Sequence, residues 1–591
     1  MVQTFQALMG RAKVGRTGKI RSPLPSRGEK PFGLSSLRML AIGLTFLSSA
    51  AFPAQPNSTT DQKPSSKLSD EQVLHLGNNT EPQDLDPTIT TGSPESHIID
   101  NLFEGLTSLH PFTLDPAPGM AESWTISADG KTYVFKIRNQ TAWSDGTPLT
   151  AKDFVWSWVR ALKPETAAQY AYQLYHIKNA EKFNQGKIKD EKELGVRALD
   201  ERTLEVVLEN PTPYFLRLTS FHTLYPTPKH IVEKYGKEWT KENHIVSNGA
   251  FKLVEWKMNR HVKIVPNPKY WDHSKVNLKE VYFLPIENSD TEEKSFTSGE
   301  IQLTGNVPSL KIPSYRAEQQ KNPSKYSALR VNPFLAVYFY RMNVKKPPLD
   351  NVLVRRALAL TVDRKLIVEK ITKAGQLPAT AFTPPVEGYS YTGPGLPASV
   401  TPEVIQEAKT LLAKAGYPDG KGMPKIELLY NTLEDHKRIA VVIQQMWKKH
   451  LNVDVDLFNQ EWKVYLDTQR TGNYSLARGG WIGDYPDPNT FLDLFVSNGG
   501  NNQTGWSNKE YDKHIEEAAL TTDQAKRFTA FAKAEAILLE ELPVLPVYIY
   551  TQVKLVAEQV KMIDPQSGEI MNWKSNILDR LHLKYYALVG K

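Results

Sequence analysis

The stretch from residue 426 to residue 457 reads strand, helix, strand, and that order limits the folds open to the chain. Residues 426–430 form a short apolar run, and residues 434–449 carry Ile439, Val442, Ile443, Met446 and Trp447 at helical spacing. Residues 453–457 then alternate apolar side chains with Asp454 and Asp456. Two strands joined through a helix pair in parallel with a right-handed crossover, so this half of the chain is α/β. Upstream, Thr401-Pro402-Glu403 supplies a cap and an N1 proline for a helix that carries Val404, Ala408, Leu411, Leu412 and Ala415 and closes at Gly416. Downstream, a long helix is expected over 523–541, followed by the apolar run 543–550. In the N-terminal half, residues 132–137 alternate like a strand between turns at Asp129-Gly130 and Asp145-Gly146. Residues 203–208, 262–265 and 281–284 are further strand candidates. No repeat of 20–50 residues is visible, and composition marks no domain border.

The chain has 591 residues, 40% of them apolar, and no cysteine. That is core enough to exclude wholesale disorder. The missing cysteine excludes a disulfide scaffold, a thiolate metal site, a cysteine nucleophile and a lipidated N-terminal cysteine. The net charge of +7 belongs to the start of the chain. The first 38 residues hold eight basic side chains and one acid, Glu29; taking these from the 72 Lys+Arg and 65 Asp+Glu leaves 64 of each. A neutral body gives no bulk-charge support to a nucleic-acid or anionic-membrane role. After Arg38 come Met39-Leu40-Ala41-Ile42-Gly43-Leu44-Thr45-Phe46-Leu47 and then small residues, Ser48-Ser49-Ala50-Ala51. A basic flank, a short apolar run and a small-residue end read as a secretory signal over 1–54, too short for a comfortable span of ~20 apolar residues. An N-terminal anchor helix is the alternative. Residues 55–70 read as a flexible spacer.

The familiar catalytic signatures are missing. There is no His-Glu-x-x-His and no phosphate loop, and Gly393-Pro394-Gly395 only faintly echoes a dinucleotide turn. His97, His110, His222, His230 and His244 each stand alone in polar or loop-like contexts, with no metal-ligand pairing. Weight shifts from chemistry toward binding, with no cofactor and no metal expected.

Several stretches resemble a known family. They are Pro118-Gly119-Met120-Ala121-Glu122-Ser123-Trp124, Trp143-Ser144-Asp145-Gly146-Thr147-Pro148, Ser247-Asn248-Gly249-Ala250-Phe251 and Ser298-Gly299-Glu300-Ile301. From about residue 72 to near the C-terminus the chain resembles the extracytoplasmic peptide-binding proteins of solute-binding family 5, which feed ABC importers. Asn459-Gln460-Glu461-Trp462-Lys463 and the run from Gly480 through Asp484-Tyr485-Pro486-Asp487-Pro488 are similar to its oligopeptide-binding members. The resemblance implies a periplasmic-binding-protein-like type II fold (cluster C): two jaw lobes around a hinge plus an extra α+β lobe. Lobe I would comprise 71–104, 231–335 and 552–591, lobe II 105–230 and lobe III 336–551. It also implies a periplasmic protein, exported by its signal and not a lipoprotein. Its partners would be short peptides and the membrane permease of a peptide ABC transporter, with no nucleic acid, and it would act as a monomer.

A receptor tolerant of peptide sequence should hold the main chain and the charged ends and fit side chains loosely. Extended backbone is held by adding it as a strand to sheet edges. By resemblance, Gly480, Trp481 and Ile482 offer one edge on lobe III, and Thr91, Gly92 and Ser93 the other on lobe I. Asp484 would pair with the peptide α-ammonium; its bland alternative is a residue that merely starts a turn. Arg478 would meet a carboxylate or a side chain, or else be a structural ion-pair residue. His436 would be one of several graded positive positions for the C-terminal carboxylate, or an exposed residue of a first helical turn. Trp462 and Tyr170 match aromatic pocket walls, although either could be core. Two positions depart from the pattern: Gln469 stands where an arginine is expected, with Arg470 beside it, and Thr372 where a lysine is expected, with Lys373 beside it. Preferred peptide length is therefore open. Closure of the jaws on the peptide would create the form that a permease reads. The rival readings are a relative in the same fold binding a dipeptide, a cell-wall (murein) peptide or another small ligand such as a nickel chelate or haem, a secreted hydrolase, and an envelope chaperone.

Overall fold

The computed structural model describes residues 67–323 and 326–590. The leader over 1–54 and most of the spacer lie outside them. The last spacer residues are held rather than floppy: Leu68 bridges Val589, and the Ser69 amide donates to the Leu588 carbonyl at 2.8 Å.

The chain enters through strand β1 (Val73–Gly77) and helix α1 (Ser93–Leu102), which starts at a Gly92 cap with Pro94 in its first turn. It then builds a separate antiparallel sheet from β2 (Ala121–Ile126), β3 (Thr132–Ile137), β4 (Val196–Ala198) and β5 (Thr203–Val207), in the order β2-β3-β5-β4. Helix α2 (Ala151–Leu162) lies between β3 and β4, and Thr150 and Asp153 close a capping box at its start. Just before it, the Trp-Ser-Asp-Gly-Thr-Pro run is a tight turn. Gly146 takes φ +92°, Asp145 accepts from the Thr147 amide at 2.9 Å, and Trp143 is fully buried. The Ser144 amide donates to the Ser247 carbonyl at 2.7 Å, tying this part to the returning chain.

That return supplies β6 (Phe251–Lys257), β7 (His261–Pro266) and β8 (Glu280–Leu284), which complete a sheet of order β1-β8-β7-β6 with β1 and β8 parallel. The strands expected over 132–137, 203–208, 262–265 and 281–284 are all present.

The C-terminal half forms a six-stranded sheet from β9 (Leu329–Met342), β10 (Leu377–Pro378), β11 (Ile426–Asn431), β12 (Val455–Gln460), β13 (Leu476–Ile482) and β14 (Val544–Leu555). Its order is β10-β14-β9-β13-β11-β12. Helices α3 (Pro402–Lys414), α4 (Glu434–Leu451), α5 (Trp462–Arg470) and α6 (Gln524–Glu541) connect it. The strand–helix–strand reading holds: β11 and β12 pair in parallel from Ile426↔Val455 to Asn431↔Gln460 around α4. Trp447 of α4 is fully buried and donates its indole N–H to the Leu358 carbonyl at 2.9 Å. Strands β9 and β14 are the longest, and their pairing shifts register between Pro333 and Val337, where proline cannot donate to a ladder.

The chain ends in a small sheet of β15 (Val560–Ile563), β16 (Ile570–Asn572) and β17 (Tyr586–Leu588). It closes back on the start: Leu303 bridges both Leu76 and Val556, and the Gln72 amide donates to the Leu588 carbonyl at 2.7 Å. Buried ion pairs lock α1 and the loop after it to this segment, with Arg580–Asp100 at 2.6 Å and Lys584–Glu104 at 3.1 Å. Segments hundreds of residues apart thus share one core, which is why no linker is readable in the composition. Among the described residues no helix is long and apolar enough to cross a membrane.

Candidate ligand-binding cleft

Strand β13 is unequally paired. Strand β9 accompanies it throughout, from Met342↔Leu476 to Ala336↔Ile482, whereas β11 meets it only at Leu428↔Leu476 and Leu429↔Ala477. From Arg478 onward one edge of this interior strand is open. The register shows which groups face the opening. The Asn343 amide donates to the Ser475 carbonyl at 2.9 Å and the Gly483 amide to the Leu335 carbonyl at 2.8 Å. In an antiparallel pair bonded and non-bonded residues alternate, so odd-numbered residues of β13 bond β9 and even-numbered ones turn outward. The Arg478 carbonyl accordingly accepts from Gln469 Nε2 at 3.3 Å and from the Tyr465 hydroxyl, both on α5. Gly480 and Ile482 present their N–H and C=O groups to the opening. Trp481 spends its peptide groups on β9 and contributes its side chain instead.

Arg478 and Gly480 share one face of the sheet. The Arg478 guanidinium donates to the Tyr550 hydroxyl at 2.5 Å and Asn431 Oδ1 at 3.3 Å, and sits 4.8 Å from the Tyr338 ring centre. It has no carboxylate within salt-bridge distance among the described residues, so it is no structural ion-pair residue. His436 is buried in the first turn of α4, which removes its alternative reading as an exposed residue, with its ring 5.6 Å from Tyr338. Burial, and then the Arg478 charge, hold the imidazole well below its ordinary value, so it is neutral. The Tyr338 and Tyr340 hydroxyls, His436 Nδ1 and Arg478 Nε are all buried without partners. Buried polar atoms are normally satisfied, so this cluster has hydrogen-bonding capacity left for a ligand or water. A Cβ at Gly480 would lie 3.0 Å from Arg478 Nη2 and 3.2 Å from the Tyr550 hydroxyl. Glycine there leaves room for an incoming backbone.

Asp484 ends the open edge. It is 7% exposed and accepts from Gln173 Nε2 at 2.7 Å, from Thr490 Oγ1 at 3.3 Å and from the Tyr170 hydroxyl at 3.5 Å. No cation lies within salt-bridge distance of it among the described residues. Burial pushes its carboxyl up to about 7, with the Arg580 charge pulling part of the way back. The turn that follows is served by Asp487, which caps Asn489 and pairs with Arg527 at 2.9 Å. Asp484 is therefore not simply a turn residue. Tyr170 is buried, 5.8 Å from the Trp481 ring, and forms the wall behind Asp484.

The other expected edge takes a different form. Thr91–Ser93 is no strand: the Gly92 cap and Pro94 start α1 there, and the Gly92 carbonyl accepts from the Ser96 amide at 3.0 Å. The peptide groups of Thr91 find no partner among the described residues. Trp462 lies over this turn, where a Cβ at Gly92 would be 2.9 Å from its ring, and its indole N–H donates to Glu95 Oε1 at 3.3 Å. Glu95 is pushed up to about 7 by burial, and its Oε2 has no partner.

Of the two offset positions, Arg470 turns away from the strand. On helix α5 a one-residue step is a turn of roughly 100°, so Gln469 faces β13 while Arg470 is exposed and pairs with Asp467 at 2.5 Å. Thr372 is tied to Gln376 at 2.9 Å, and Lys373 sits half-exposed in a left-handed conformation. The lone histidines each have a separate partner; His97 lies 3.5 Å from Asp579, and the buried His222 Nε2 is 3.1 Å from the Thr90 carbonyl, while Nδ1 of each is unpartnered. No metal-ligand cluster exists among the described residues. Sequence reasoning missed Gln173, Glu95 and the Tyr338, Tyr340 and Tyr550 hydroxyls, since tyrosines on alternating strands look like core.

Residues 115–503 match bacterial extracellular solute-binding proteins, family 5 Middle. The oligopeptide-binding protein OppA of Bacillus subtilis is 41% identical over 507 residues, covering 84% of this chain and 91% of that protein. The structures of the Escherichia coli murein tripeptide binding protein MppA and of Haemophilus influenzae OppA in complex with RPPGFSPFR are each 36% identical. Each comparison covers 89% of this chain and 100% of the other, and the TM-scores are 0.83 and 0.82. The unliganded open form of MppA, also 36% identical and covering 89% of this chain and 99% of its own, gives 0.59. At equal sequence distance, that drop reflects how the parts are arranged, and this chain has the arrangement of the first two.

Proposed function

The chain belongs to the bacterial extracellular solute-binding proteins, family 5, and we propose that it is an extracytoplasmic receptor that captures short peptides by their main chain and delivers them to a peptide ABC importer. One observation carries the reading: the open edge of β13 at Gly480 and Ile482 runs into a buried carboxylate, Asp484, that has no cation of its own. A peptide supplies both missing partners, a strand and an ammonium.

With its amino end at Asp484, the peptide runs back along β13 toward Arg478, antiparallel to it. The six residue steps from Asp484 to Arg478, at ~3.4 Å each, span about 20 Å, room for roughly three to six peptide residues. The far end falls beside Arg478, His436 and the unpartnered tyrosine hydroxyls, where the C-terminal carboxylate is held. The free peptide groups of Thr91, with Trp462 above them, cover the other side. Arg470, exposed and paired with Asp467, takes no part. The lobe borders follow 71–104, 231–335 and 552–591 for lobe I, 105–230 for lobe II and 336–551 for lobe III. The register shift between Pro333 and Val337 supports a hinge where β9 and β14 cross from lobe I to lobe III. Closure about it sequesters the peptide, and the closed monomer docks on a permease, which releases the peptide unchanged. The leader over 1–54 exports the chain without a lipid anchor.

A cell-wall peptide is the second reading, favoured by the 0.83 likeness to a murein tripeptide receptor; it also carries a free amine. Native mass spectrometry of protein purified from cells tests both. Retained masses of short peptides support the first, a murein peptide mass the second, and retained ligands without an amine contradict both.

A further inference from the structure

A second guanidinium, this one buried, lies on the opposite face of the same sheet. Arg341 of β9 is 6% exposed, and its side chain makes no hydrogen bond or salt bridge among the described residues. It stands opposite Ala477, and its guanidinium lies 5.0 Å from the Phe339 ring and reaches across β13. A Cβ at Gly479 would be 2.8 Å from Nη1, so the glycine is what lets the arginine through toward the open edge. The Arg478 charge acts on it unfavourably and the hydroxyls of Tyr474, Tyr465 and Tyr170 favourably. Taking a cation out of water without an anion costs several kcal/mol, and a fold keeps one there when something else supplies the anion.

We infer that Arg341 is a specificity residue that binds a carboxylate on a side chain of the captured peptide, so that this receptor prefers peptides carrying an acidic residue opposite Gly479. The inference rests on β13 being the peptide edge. Residues directly opposed in a sheet share a face. A peptide residue opposite Gly480 therefore points toward the Arg478 pocket, and one opposite Gly479 points toward Arg341. The cleft holds two guanidiniums without a carboxylate partner among the described residues, Arg478 and Arg341. A peptide with neutral side chains brings one carboxylate, at its C-terminus, and an aspartate or glutamate side chain supplies the second anion. A planar guanidinium recognises a carboxylate through two parallel hydrogen bonds, which an amide of the same shape cannot reproduce.

The test is a position scan by calorimetry. Tetra-alanine carrying Glu or Gln at each position in turn is titrated into wild type, R341Q and R341K. Expected is one position at which wild type prefers Glu over Gln by about tenfold or more, a preference reduced to within about threefold in R341Q and kept in sign by R341K. Wild type that binds these peptides with no acidic preference at any position overturns the inference and leaves the peptide reading standing; so does an R341Q that keeps the full preference. Wild type that binds none of them overturns the peptide reading itself. The wild-type scan decides even where a variant fails to fold.

Discussion

The side-chain amide of Gln173 donates to Asp484 Oδ2 at 2.7 Å, a hydrogen bond between positions 311 apart in sequence. It holds the carboxylate at the end of the open edge, aimed into a site with no cation. Replacing Asp484 by Asn keeps the shape and removes the charge. Loss of one partner from a buried ion pair costs about 3–5 kcal/mol, so D484N should bind free-amine tetra-alanine at least 100-fold more weakly. N-acetylation of the peptide should cost wild type a similar factor and D484N little more. Titration of both peptides into both proteins checks this; equal affinity of wild type for the two peptides would count against the ammonium role.

The same group sets a pH dependence. In the closed arrangement with the cleft empty, burial pushes Asp484 up to about 7, above the ordinary 3.8. Its contribution to the stability of that closed, empty form is therefore full below about 3.8 and lost as pH rises through about 7. An ammonium needs the carboxylate ionised, so below pH 7 the peptide must expel a proton. Affinity should fall as pH drops from 7.5 to 5.5, approaching tenfold per unit, with a binding heat at pH 6 that varies with the ionisation enthalpy of the buffer. D484N should show neither effect.

Arg478 is a half-buried cation whose neighbours are tyrosines, and it holds a function-for-stability trade. Buried charges are often replaced by apolar groups of similar volume at no cost, or with a gain of about 1–4 kcal/mol. R478M should melt at an unchanged or higher temperature without ligand and lose tenfold or more in affinity for tripeptides. A large fall in melting temperature would mean that the guanidinium serves the fold instead.

Much of the architecture was legible because periodicity reports local structure. The unit over 426–457, the helix capped by Thr401 and the strand over 132–137 stand where apolar spacing put them, with ends moved by a few residues. Strand β12 begins at Val455 rather than 453, because Asn452 closes α4 in a left-handed turn. The site was less legible. Asp484 and Arg478 came from resemblance, but the open edge exists only because β11 stops short on its neighbour, a tertiary fact. The one-residue offset at Arg470 could be judged only once the segment was known to be helical. Arg341 and the tyrosines of β9 look like alternating strand residues, and nothing in their spacing tells a packed face from a ligand pocket.

The claim on which the rest depends is that a peptide adds to β13 as a strand, and amide hydrogen exchange measures this directly. On saturation with tetra-alanine, the Gly480 and Ile482 amides should slow by tenfold or more, because they alone in the strand face the opening. The Trp481 amide, already bonded to β9, should change far less. Unchanged exchange at Gly480 and Ile482 while peptide is demonstrably bound would contradict the account.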